Sequence, residues 1–376
     1  MHRAAITRVD PGVAGPFRYR VLDGRYLISN DFGDWTFLSP EELKAFAEGD
    51  ISPGDDLYDR LKALRFIHGE IVLDEAVARY RSRHSFLHHG PSQHVLALTS
   101  RAGSSDDDGP DMSLEIADRA VDCAFMSTSP GLTFILRGGD PLVVSEAVRH
   151  VVQYVEDKNK LARKEVRFVL QSPLTQLDDE MAAWMADHPM DLWVPEDSAD
   201  LSTAGSTRTA ISRIRAGWND SGHSATVTLQ ADLSTLEALS PTALVDLAVD
   251  SGFDVLDLAP VPSWDFMGDD DAPSLTRETL SARWEEALEQ MIQQESNGRS
   301  IMERTAAEVL SGALGGASPA VPSLRTPALD GIGQLAYHWC GRVFASDLGR
   351  EVFVETEDEL FQVGELRHHG YHDMIT

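Results

Sequence analysis

The residues from Val95 to Asp111 read as a buried strand that runs into a polar loop, a position at which α/β proteins often carry their chemistry. From Arg101 the loop reads Arg-Ala-Gly-Ser-Ser-Asp-Asp-Asp-Gly, and a helix is predicted to begin near Ser113. The loop contains no cysteine, histidine or lysine. It therefore offers few groups that could act as a nucleophile, a proton carrier or a ligand for a soft metal.

A second polar turn, Arg137-Gly-Gly-Asp-Pro, follows the next predicted strand. Glycines let a backbone approach a bound molecule closely, and an aspartate beside them adds a negative charge. We interpret Gly138, Gly139, Asp140 and Pro141 as a candidate ligand-binding turn. The alternative interpretation is a strand-to-helix turn that serves folding alone.

Clusters of histidine and aspartate suggest metal binding, but none has the spacing of a known metal site. We therefore predict no metal site and interpret these residues as surface and loop side chains. The sequence also lacks a nucleophile elbow, a Walker loop and a dinucleotide-binding fingerprint, so motifs assign no catalytic residue. The clusters are His84, His88 and His89; His368, His369 and His372; Asp106–Asp108; and Asp269–Asp271.

The overall charge narrows the range of partners. The 376 residues carry a formal net charge of -29 and have a pI near 4.7, which argues against nucleic acid and anionic membranes. The two cysteines, Cys123 and Cys340, cannot build a disulfide framework or an all-cysteine metal site. No apolar run approaches the roughly 18 residues of a membrane span, and the N-terminus lacks the pattern of a signal peptide. We expect a cytoplasmic protein.

From His94 onward, short apolar runs alternate with helical segments, which is typical of βαβ units and a parallel sheet. Six units are too few for an eight-stranded closed barrel, so we predict an α/β fold with an open partial (β/α)6 barrel. A doubly wound sheet is the alternative. The predicted strands lie near His94–Thr99, Leu132–Leu136, Val166–Leu170, Asp191–Val194, Ala225–Gln230 and Val255–Ala259, and the predicted helices near Ser113–Met126, Ser145–Asn159, Leu177–His188, Thr207–Trp218, Pro241–Ser251 and Arg277–Ser296.

The N-terminal part reads as a separate small unit. Arg25–Ser29 and Trp35–Leu38 are strand-like, and the turn-forming residues between them predict a hairpin. The Ser-Pro-Glu-Glu sequence that follows has the cap, proline and acids of a helix start. Leucines at helical spacing predict a second helix near Leu57–Leu64. A hairpin followed by short helices suits a winged-helix-like module.

These patterns divide the chain into five parts. The last part is a small β unit, in which two strand-like runs flank Cys340-Gly341 as a hairpin. The parts are residues 1–75, the N-terminal hairpin and helix module; 76–93, a linking helix; 94–300, the partial barrel; 301–327, a helix and a linker; and 328–376, the C-terminal β-hairpin region.

Seven longer segments of the sequence are informative when they are considered together. They are Asp23–Asn30, Phe37–Glu42, Ser85–Ser92, Arg137–Leu142, Leu177–Met181, Gly331–Tyr337 and Gly341–Arg350. Taken together and in this order, they resemble the radical S-adenosylmethionine (SAM) peptide maturases of the His-Xaa-Ser type. The resemblance implies a fold with an N-terminal region, a partial (β/α)6 barrel and a C-terminal SPASM-type extension, and a role in modifying ribosomally made peptides. It also matches the turn at Gly138 to the family's Gly-Gly-Glu-Pro turn, which contacts the amino group of SAM.

The chain departs from this family where the iron–sulfur cluster is bound. Family members bind a [4Fe–4S] cluster with Cys-x3-Cys-x2-Cys in the loop after the first barrel strand, whereas this chain has Ala102, Ser105 and Asp108, or close neighbours, there. Serine and aspartate cannot replace thiolates on such a cluster. Thr326-Pro-Ala and Ala345-Ser-Asp also stand where relatives tend to have cysteine, so we expect a truncated SPASM-like β unit. Without cluster iron, SAM loses its chelation. We therefore expect no [4Fe–4S] cluster and no resident cofactor, with retained SAM binding at the glycine turn as the less favoured alternative.

The N-terminal hairpin and helices resemble the leader-peptide recognition modules of peptide maturation systems. In such a module an exposed edge strand takes up an extended peptide, and side-chain pockets supply specificity. The resemblance implies that the peptide-binding residues are Tyr26, Leu27, Ile28, Trp35 and Phe37. The alternative is a domain that only packs on the barrel.

The favoured hypothesis is a non-catalytic, radical-SAM-like protein of a ribosomal-peptide maturation system, which binds a precursor peptide, an active maturase partner, or both. The first alternative is an enzyme that uses the strand ends of the barrel for cluster-independent chemistry. Its candidate residues are Asp140, Gln171, Glu196, Asp197 and Gln230. A further alternative is an active radical SAM maturase, should a cluster be bound after all.

Overall fold

The computed structural model describes residues 8–103, 108–195, 204–222, 224–232, 240–259, 276–315 and 332–375. The chain divides into two compact units, one formed by residues 1–88 with 311–318 and the other by residues 89–310 with 319–376. Within the described ranges, no helix combines the length and the apolar character that a membrane crossing requires.

The first unit is built from the strands β1 (Arg18–Leu22), β2 (Arg25–Ser29) and β3 (Trp35–Leu38) and the helices α1 (Pro40–Glu48), α2 (Asp56–Ala63) and α3 (Leu73–Arg83). The strands pair antiparallel in the order β1-β2-β3, which confirms the predicted hairpin and adds β1 to it. Asp23-Gly24 forms the turn between β1 and β2, and both residues have the positive φ angles that Asp-Gly hairpin turns adopt, 48° and 75°. The winged-helix assignment of this unit stays a prediction.

Helix α1 begins where the sequence predicted it, at a capping box. The Ser39 hydroxyl accepts a hydrogen bond from the Glu42 backbone N–H, and the Glu42 carboxylate accepts one from the Ser39 backbone N–H at 2.7 Å. Gly49 ends the helix with a φ of 81°, a conformation that favours glycine. These local signals orient the apolar face of α1 toward the core of the unit, where Leu43 and Phe46 are fully buried.

One buried carboxylate, that of Asp34, ties the β2–β3 turn to the helices. Arg65 donates to it through Nε at 2.7 Å and Nη2 at 2.6 Å, and Arg79 pairs with it at 3.2 Å. A buried carboxylate is stable only with such partners, because its desolvation would otherwise dominate. The turn therefore has a fixed position relative to α3.

The second unit contains a sheet with the order β10-β9-β8-β7-β6-β5-β4-β11-β12-β13. Its strands are β4 (Gln93–Thr99), β5 (Gly131–Gly138), β6 (Glu165–Gln171), β7 (Asp191–Pro195), β8 (Val227–Asp232), β9 (Val255–Ala259), β10 (Met302–Glu303), β11 (Gln334–Tyr337), β12 (Arg342–Phe344) and β13 (Gln362–Glu365). The helices that belong to this unit or begin in it are α4 (Leu114–Phe125), α5 (Ser145–Ala162), α6 (Asp179–Asp187), α7 (Ala204–Ser221), α8 (Pro241–Ser251), α9 (Arg277–Ser296), α10 (Arg304–Gly315), α11 (Asp347–Thr356) and α12 (Tyr371–Ile375).

The strands from β4 to β9 lie in the sheet in chain order and pair parallel, which confirms the predicted α/β fold with a large parallel sheet. A doubly wound sheet would reverse its strand order at a switch point, and this run of strands does not. Because parallel crossovers are right-handed, an unreversed order places the connecting helices on one face. This is the topology of a partial barrel.

Alternate strand residues serve the two faces of this sheet. Leu96 and Leu98 of β4 belong to the large core that the helices α4 to α9 complete. Val95 of β4 and Ile135 of β5 belong to a small cluster on the other face, against which Phe353 of α11 packs. The period-2 pattern of the strands thus separates a helix-covered face from a face that the C-terminal region covers.

The C-terminal hairpin extends the same sheet. Strand β11 pairs parallel with β4, and β12 returns antiparallel to β11 around Cys340-Gly341, which confirms the predicted hairpin. The sequence analysis did not predict helix α11 or the parallel pairing with β4. Whether this region is a SPASM-like unit stays a prediction.

A buried polar network joins β4 to β11. His94 is fully buried, and its Nε2 lies 3.2 Å from the Pro91 carbonyl oxygen, so Nε2 carries the proton and donates. Nδ1 then accepts from the Tyr337 hydroxyl at 3.0 Å. Burial lowers the pKa of His94 to about 3, because no carboxylate compensates the loss of water around an imidazolium. His94 is therefore neutral in the folded protein.

We expect the free energy of unfolding to fall as the pH drops below about 6.5, because the unfolded chain then binds a proton at His94 that the folded protein does not bind. The ordinary histidine pKa of about 6.5 and the folded value of about 3 define the window, in which this group contributes a slope of about 1.4 kcal/mol per pH unit. Urea unfolding between pH 7 and pH 5 measures the slope, and His94→Gln should make it shallower by about 1 kcal/mol per pH unit on average, because the full slope is reached only well below pH 6.5.

His68→Gln serves as the control, since it removes one exposed histidine from the other unit. We expect no comparable change of slope in this variant. Equal slopes for His94→Gln and the unaltered protein would contradict a neutral, buried His94.

Candidate functional site

The carboxyl ends of β4 and β5 meet at the two glycines that the sequence marked as a ligand-binding turn. The Gly139 N–H donates to the Thr99 carbonyl oxygen at 2.9 Å, and the Asp140 N–H donates to that of Arg101 at 2.6 Å. A Cβ atom on Gly138 or Gly139 would overlap these same two carbonyl oxygens, and Gly138 has a φ of 142°. The close approach of the two chain segments therefore requires glycine.

Asp140 turns away from solvent and caps the chain behind the glycines. Its carboxylate accepts hydrogen bonds from the Leu142 N–H at 3.0 Å and from the Ser172 hydroxyl at 2.7 Å. The residue is fully buried, and burial raises its pKa, although both hydrogen bonds act against that rise. Asp140 and Pro141 thus begin the short 3-10 turn Pro141–Val144. In this structure Asp140 positions the turn and presents no charge to a ligand.

An ion pair joins the two ends of the loop after β4. Asp111 accepts from Arg101 Nη2 at 2.5 Å and Nε at 3.0 Å, and from the Thr99 hydroxyl at 2.6 Å. Ala102 and Asp108 are exposed between these ends, and Ser105 lies outside the described residues. The described part of the loop is therefore fixed by its own charges.

Helix α11 is fastened to the end of β5 by alternating charges. Arg137 pairs with Asp347 and, at 2.8 Å, with Glu351, while Arg350 pairs with Asp347 at 2.7 Å. The side chains of Arg350 and Asp347 are 6% and 13% exposed. Burial lowers the pKa of both arginines, and Glu351 opposes this shift. The network sets the distance between α11 and the glycine turn.

The sequence analysis assigned no role to α11, although a signal for this helix was present. The Ser346 hydroxyl accepts from the Gly349 N–H at 3.2 Å, so Ser346 is an ordinary N-cap with an acid in the first turn after it. The pairing of this helix with Arg137 has no comparable signal in the sequence.

A cavity of about 280 Å³ adjoins the glycine turn and α11. Its volume lies just below the range of about 300–1,000 Å³ that small-molecule sites span. The lining combines backbone polar groups, an aromatic ring and charged side chains. The lining residues are Ser100, Gly138 and Gly139 at the strand ends, together with Arg137, Trp339, Arg350, Glu351, Val354 and Glu355.

The cavity favours a ligand with positive charge. Arg137 and Arg350 are balanced by Asp347 and Glu351. Glu355 is exposed and forms no ion pair with any described residue, so it adds an uncompensated negative charge. Because the rest of the chain is also strongly acidic, the local and the overall fields have the same sign.

The residues present do not fit an iron–sulfur cluster. Such clusters take several thiolates close together. Cys123 is buried on α4, where burial raises the pKa of its thiol, and Cys340 is exposed at the β11–β12 turn beside His338 Nδ1 at 2.9 Å. Neither lies in the loop after β4, which has no cysteine in its sequence.

The residues proposed for cluster-independent chemistry do not form a described site. Gln171 and Gln230 are half-buried near the ends of β6 and β8, and Asp140 is bonded within the fold. Glu196 and Asp197 lie outside the described residues.

The residues proposed for peptide binding divide between the two faces of the first unit's sheet. Tyr26 and Ile28 are 3% and 0% exposed and belong to its core. Leu27, Trp35 and Phe37 are half-buried on the other face. The indole N–H of Trp35 donates to the carbonyl oxygen of Ala313 at 2.9 Å, within the same unit.

No family model matches the chain, and no curated protein is significantly similar to it. Solved structures share its fold. Native anSMEcpe with bound AdoMet and Kp18Cys peptide is 14% identical with a TM-score of 0.54, over 76% of this chain and 80% of that one. The complex with AdoMet and Cp18Cys peptide is 12% identical with a TM-score of 0.56, over the same shares. Streptococcus suis SuiB bound to S-adenosylmethionine is 10% identical over 98% of this chain and 88% of that one, but its TM-score of 0.49 adds nothing to the assignment.

The chain therefore shares the fold of these anSMEcpe structures, and its assignment to the radical SAM peptide maturases of the His-Xaa-Ser type stays a prediction. The expectation that the chain takes no cofactor is wrong: structures with this fold were solved with AdoMet bound, and the glycine turn lines a cavity of about 280 Å³ in this chain. That expectation gave weight to the missing thiolates and none to the cavity.

We expect Gly139→Ala to lower the free energy of unfolding by about 1–3 kcal/mol, because the new methyl group must displace the backbone at Arg101. Gly131→Ala, at the beginning of the strand that Gly139 follows, is the matched control. A Cβ there would lie 3.5 Å from the Glu165 carbonyl oxygen, an ordinary contact, so its effect should stay within about 0.5 kcal/mol. Urea unfolding of both variants measures the difference, and equal stabilities would contradict the close approach described here.

Proposed function

We propose that this protein binds SAM and a precursor peptide in a ribosomal-peptide maturation system, without starting radical chemistry itself, and that it works beside an active maturase. The observation that carries the proposal is the cavity at Gly138 and Gly139, with Trp339 and an unpaired carboxylate in its lining. The anSMEcpe structures support both ligands, because they contain AdoMet and a peptide on the same fold.

The chemistry of the cavity suits SAM. SAM carries an adenine ring, a polar amino-acid end and a positively charged sulfonium group. Trp339 offers an aromatic surface for a base, and stacking of this kind contributes about 1–3 kcal/mol per base. Gly138 and Gly139 line the cavity with backbone alone, because they have no side chain. Glu355 offers the negative charge that a sulfonium favours. When bound, SAM would supply an electrophilic sulfonium centre.

The proposal that the chain starts no radical chemistry depends on thiolates. Reductive cleavage of SAM needs an iron–sulfur cluster as electron donor, and neither Cys123 nor Cys340 stands where the fold would take one. The loop after β4 is instead bridged by the ion pair between Arg101 and Asp111. Binding and chemistry are thus separable in this chain, and an active maturase with its own cluster would supply the reaction.

The proposal predicts SAM binding with a measurable charge preference. By isothermal titration calorimetry, SAM should bind about 3- to 10-fold tighter than S-adenosylhomocysteine, which has a neutral thioether in place of the sulfonium. Glu355→Gln should reduce this preference and leave the affinity for S-adenosylhomocysteine unchanged. Trp339→Ala should weaken both ligands about tenfold or more.

Trp184→Ala is the matched control for the loss of an indole, since Trp184 is half-buried on α6 and does not line the cavity. It should retain the affinity of the unaltered protein for SAM. Absence of SAM binding in the unaltered protein, or equal losses in both tryptophan variants, would refute the assignment of this cavity.

The proposal also predicts that the protein alone does not consume SAM. Anaerobic incubation with SAM and dithionite should release no methionine above the level without protein, measured by mass spectrometry. The control is a radical SAM maturase that has its cysteines, treated identically. Catalytic release of methionine by this chain would show that it runs the radical step itself.

A further inference from the structure

We propose that two copies of this chain associate through helix α3, which pairs antiparallel with the same helix of the second copy. This association goes beyond the proposed function, because it depends on neither SAM nor a peptide. The fold leaves an apolar seam of α3 exposed, and the charges beside this seam complement those of a second, reversed copy.

Helix α3 packs on the first unit along one narrow side. Ala76 is fully buried, and it is the only buried residue among those of α3 whose side chains the structure describes. One turn later on the same side, Arg79 pairs with the buried Asp34 at 3.2 Å. Helices in proteins are stabilised mainly by the packing of an apolar face, and a helix of 11 residues is marginal without it. The remaining face of α3 is therefore stabilised by packing against a partner.

Apolar side chains follow the exposed side of α3 at the spacing of a coiled coil. Leu73, Val77 and Tyr80 are 68%, 37% and 51% exposed. The next two positions hold His84, whose ring stacks on that of Tyr80 with 4.0 Å between the ring centres, and Leu87, which is 39% exposed. Spacings that alternate between four and three residues define a heptad seam, along which one helix packs against another. We name these five residues the α3 seam.

The charges beside the α3 seam select the antiparallel direction. Asp74 and Arg81 each follow a seam residue directly, so both lie on the same flank of the seam. Both are exposed, and neither forms an ion pair with any described residue. An antiparallel second helix packs its Tyr80 against Val77, and this register brings Arg81 of the second copy beside Asp74. The two-fold symmetry repeats the pair, so the contact contains two ion pairs.

A second copy fits this pattern better than an unrelated protein does. The same residues supply both sides of the contact, as the isologous interface of a two-fold dimer requires. A parallel pair would bring each of Asp74 and Arg81 level with its own equivalent, and it would lose both ion pairs. The opposite flank of the seam carries Ala76, which the first unit already covers. The antiparallel pair uses only the flank that is exposed.

The charge of the chain restricts where two copies can meet. The full chain has 32 arginines and lysines against 61 acids, so two copies repel each other at long range. Residues 1–88, the part of the first unit that contains α3, have 12 arginines and lysines against 14 acids and are nearly neutral. A contact through α3 therefore meets less repulsion than a contact through the second unit.

The contact is small, so we expect a weak, concentration-dependent dimer. A standard interface buries about 800 Å² on each partner, and a seam of about four helical turns buries less. We expect a Kd on the order of 10–100 µM for the full-length protein in about 0.1 M salt. Sedimentation velocity from about 5 to 300 µM should show the mean mass rising from 41.3 kDa toward twice that value. A chain that stays monomeric over this range overturns the inference.

Exchange of the flanking charges tests the direction of pairing. Asp74→Arg alone and Arg81→Glu alone should each weaken dimerisation about fivefold or more, because both ion pairs then become like-charge contacts. An equimolar mixture of the two variants should restore dimerisation, because each mixed dimer again has two pairs of opposite sign. A mixture that associates no better than the separate variants overturns the antiparallel contact.

Asp56→Arg is the matched control for the charge change. Asp56 is exposed, lies in the first turn of α2 as Asp74 does in that of α3, and forms no ion pair with any described residue. This variant should dimerise like the unaltered protein. Equal weakening by Asp56→Arg and Asp74→Arg would show an effect of net charge or of the helix dipole, and it would overturn the assignment to α3.

The apolar part of the contact is tested at Val77, near the centre of the α3 seam. Val77→Asp should weaken dimerisation about tenfold or more, because it would bury a carboxylate against Tyr80 of the second copy. Val309→Asp is the control, since Val309 is also an exposed valine on a helix but lies in the second unit. Circular dichroism and urea unfolding should show that both variants are folded. Equal dimerisation of the two variants would contradict a contact at the seam.

The outcomes separate this inference from the proposed function. A dimer that tolerates Val77→Asp and both charge reversals has its contact elsewhere, and the inference then fails while the proposed function stands. Val77→Asp should bind SAM as tightly as the unaltered protein, since the cavity at Gly138 and Gly139 lies in the second unit. Absence of SAM binding in a chain that dimerises through α3 refutes the proposed function and leaves the inference standing.

Discussion

The site depends on the charge network that joins Arg137 at the end of β5 to Asp347, Glu351 and Arg350 of α11. Arg350 is buried and the other three side chains are half-buried, so their desolvation has a cost that the alternating signs offset while all partners are present. Removing Asp347 or Glu351 would leave the buried Arg350 with fewer compensating charges. Because α11 and its neighbour Trp339 supply one part of the cavity lining and β5 supplies another, the width of the cavity follows from this network.

Strand β4 makes the network possible, because it pairs with β5 on one side and with β11 on the other. The C-terminal hairpin is thereby part of the barrel sheet and not an appendage to it. A buried hydrogen bond between His94, near the beginning of β4, and Tyr337, the last residue of β11, supports this pairing. At the other end, the chain leaving β4 is held against the glycine turn by backbone hydrogen bonds. A ligand site and a stable junction are therefore built from the same strands.

Local patterns made much of the fold predictable, and non-local pairing explains the rest. The alternation of apolar runs and helical segments and the capping box at Ser39 are encoded within a few residues, and the structure confirms both. The Gly-Gly turn was identified for the same reason. The alternation of side chains along a strand shows that Tyr26 and Ile28 lie on the same face of the sheet. It does not show which of the two faces packs against the core. The partners of Arg137 lie far along the chain, so no local pattern reveals them. Strand β1 was missed although the sequence could have revealed it, because the Asp23-Gly24 pair that follows it is typical of a hairpin turn.

The sequence led to the expectation of no cofactor because it shows ligand residues more readily than it shows cavities. The spacing of cluster-binding cysteines can be read directly from a sequence. A binding site built from backbone atoms, one indole and one carboxylate has no comparable sequence motif. The glycines do not decide between the two interpretations, since folding alone requires them. What favours a ligand is that the fold leaves space beside them, and that the unpaired charge facing this space is negative. Under the proposed function, the missing thiolates deprive this chain of an electron donor, while the cavity beside the glycines is the place where SAM would bind.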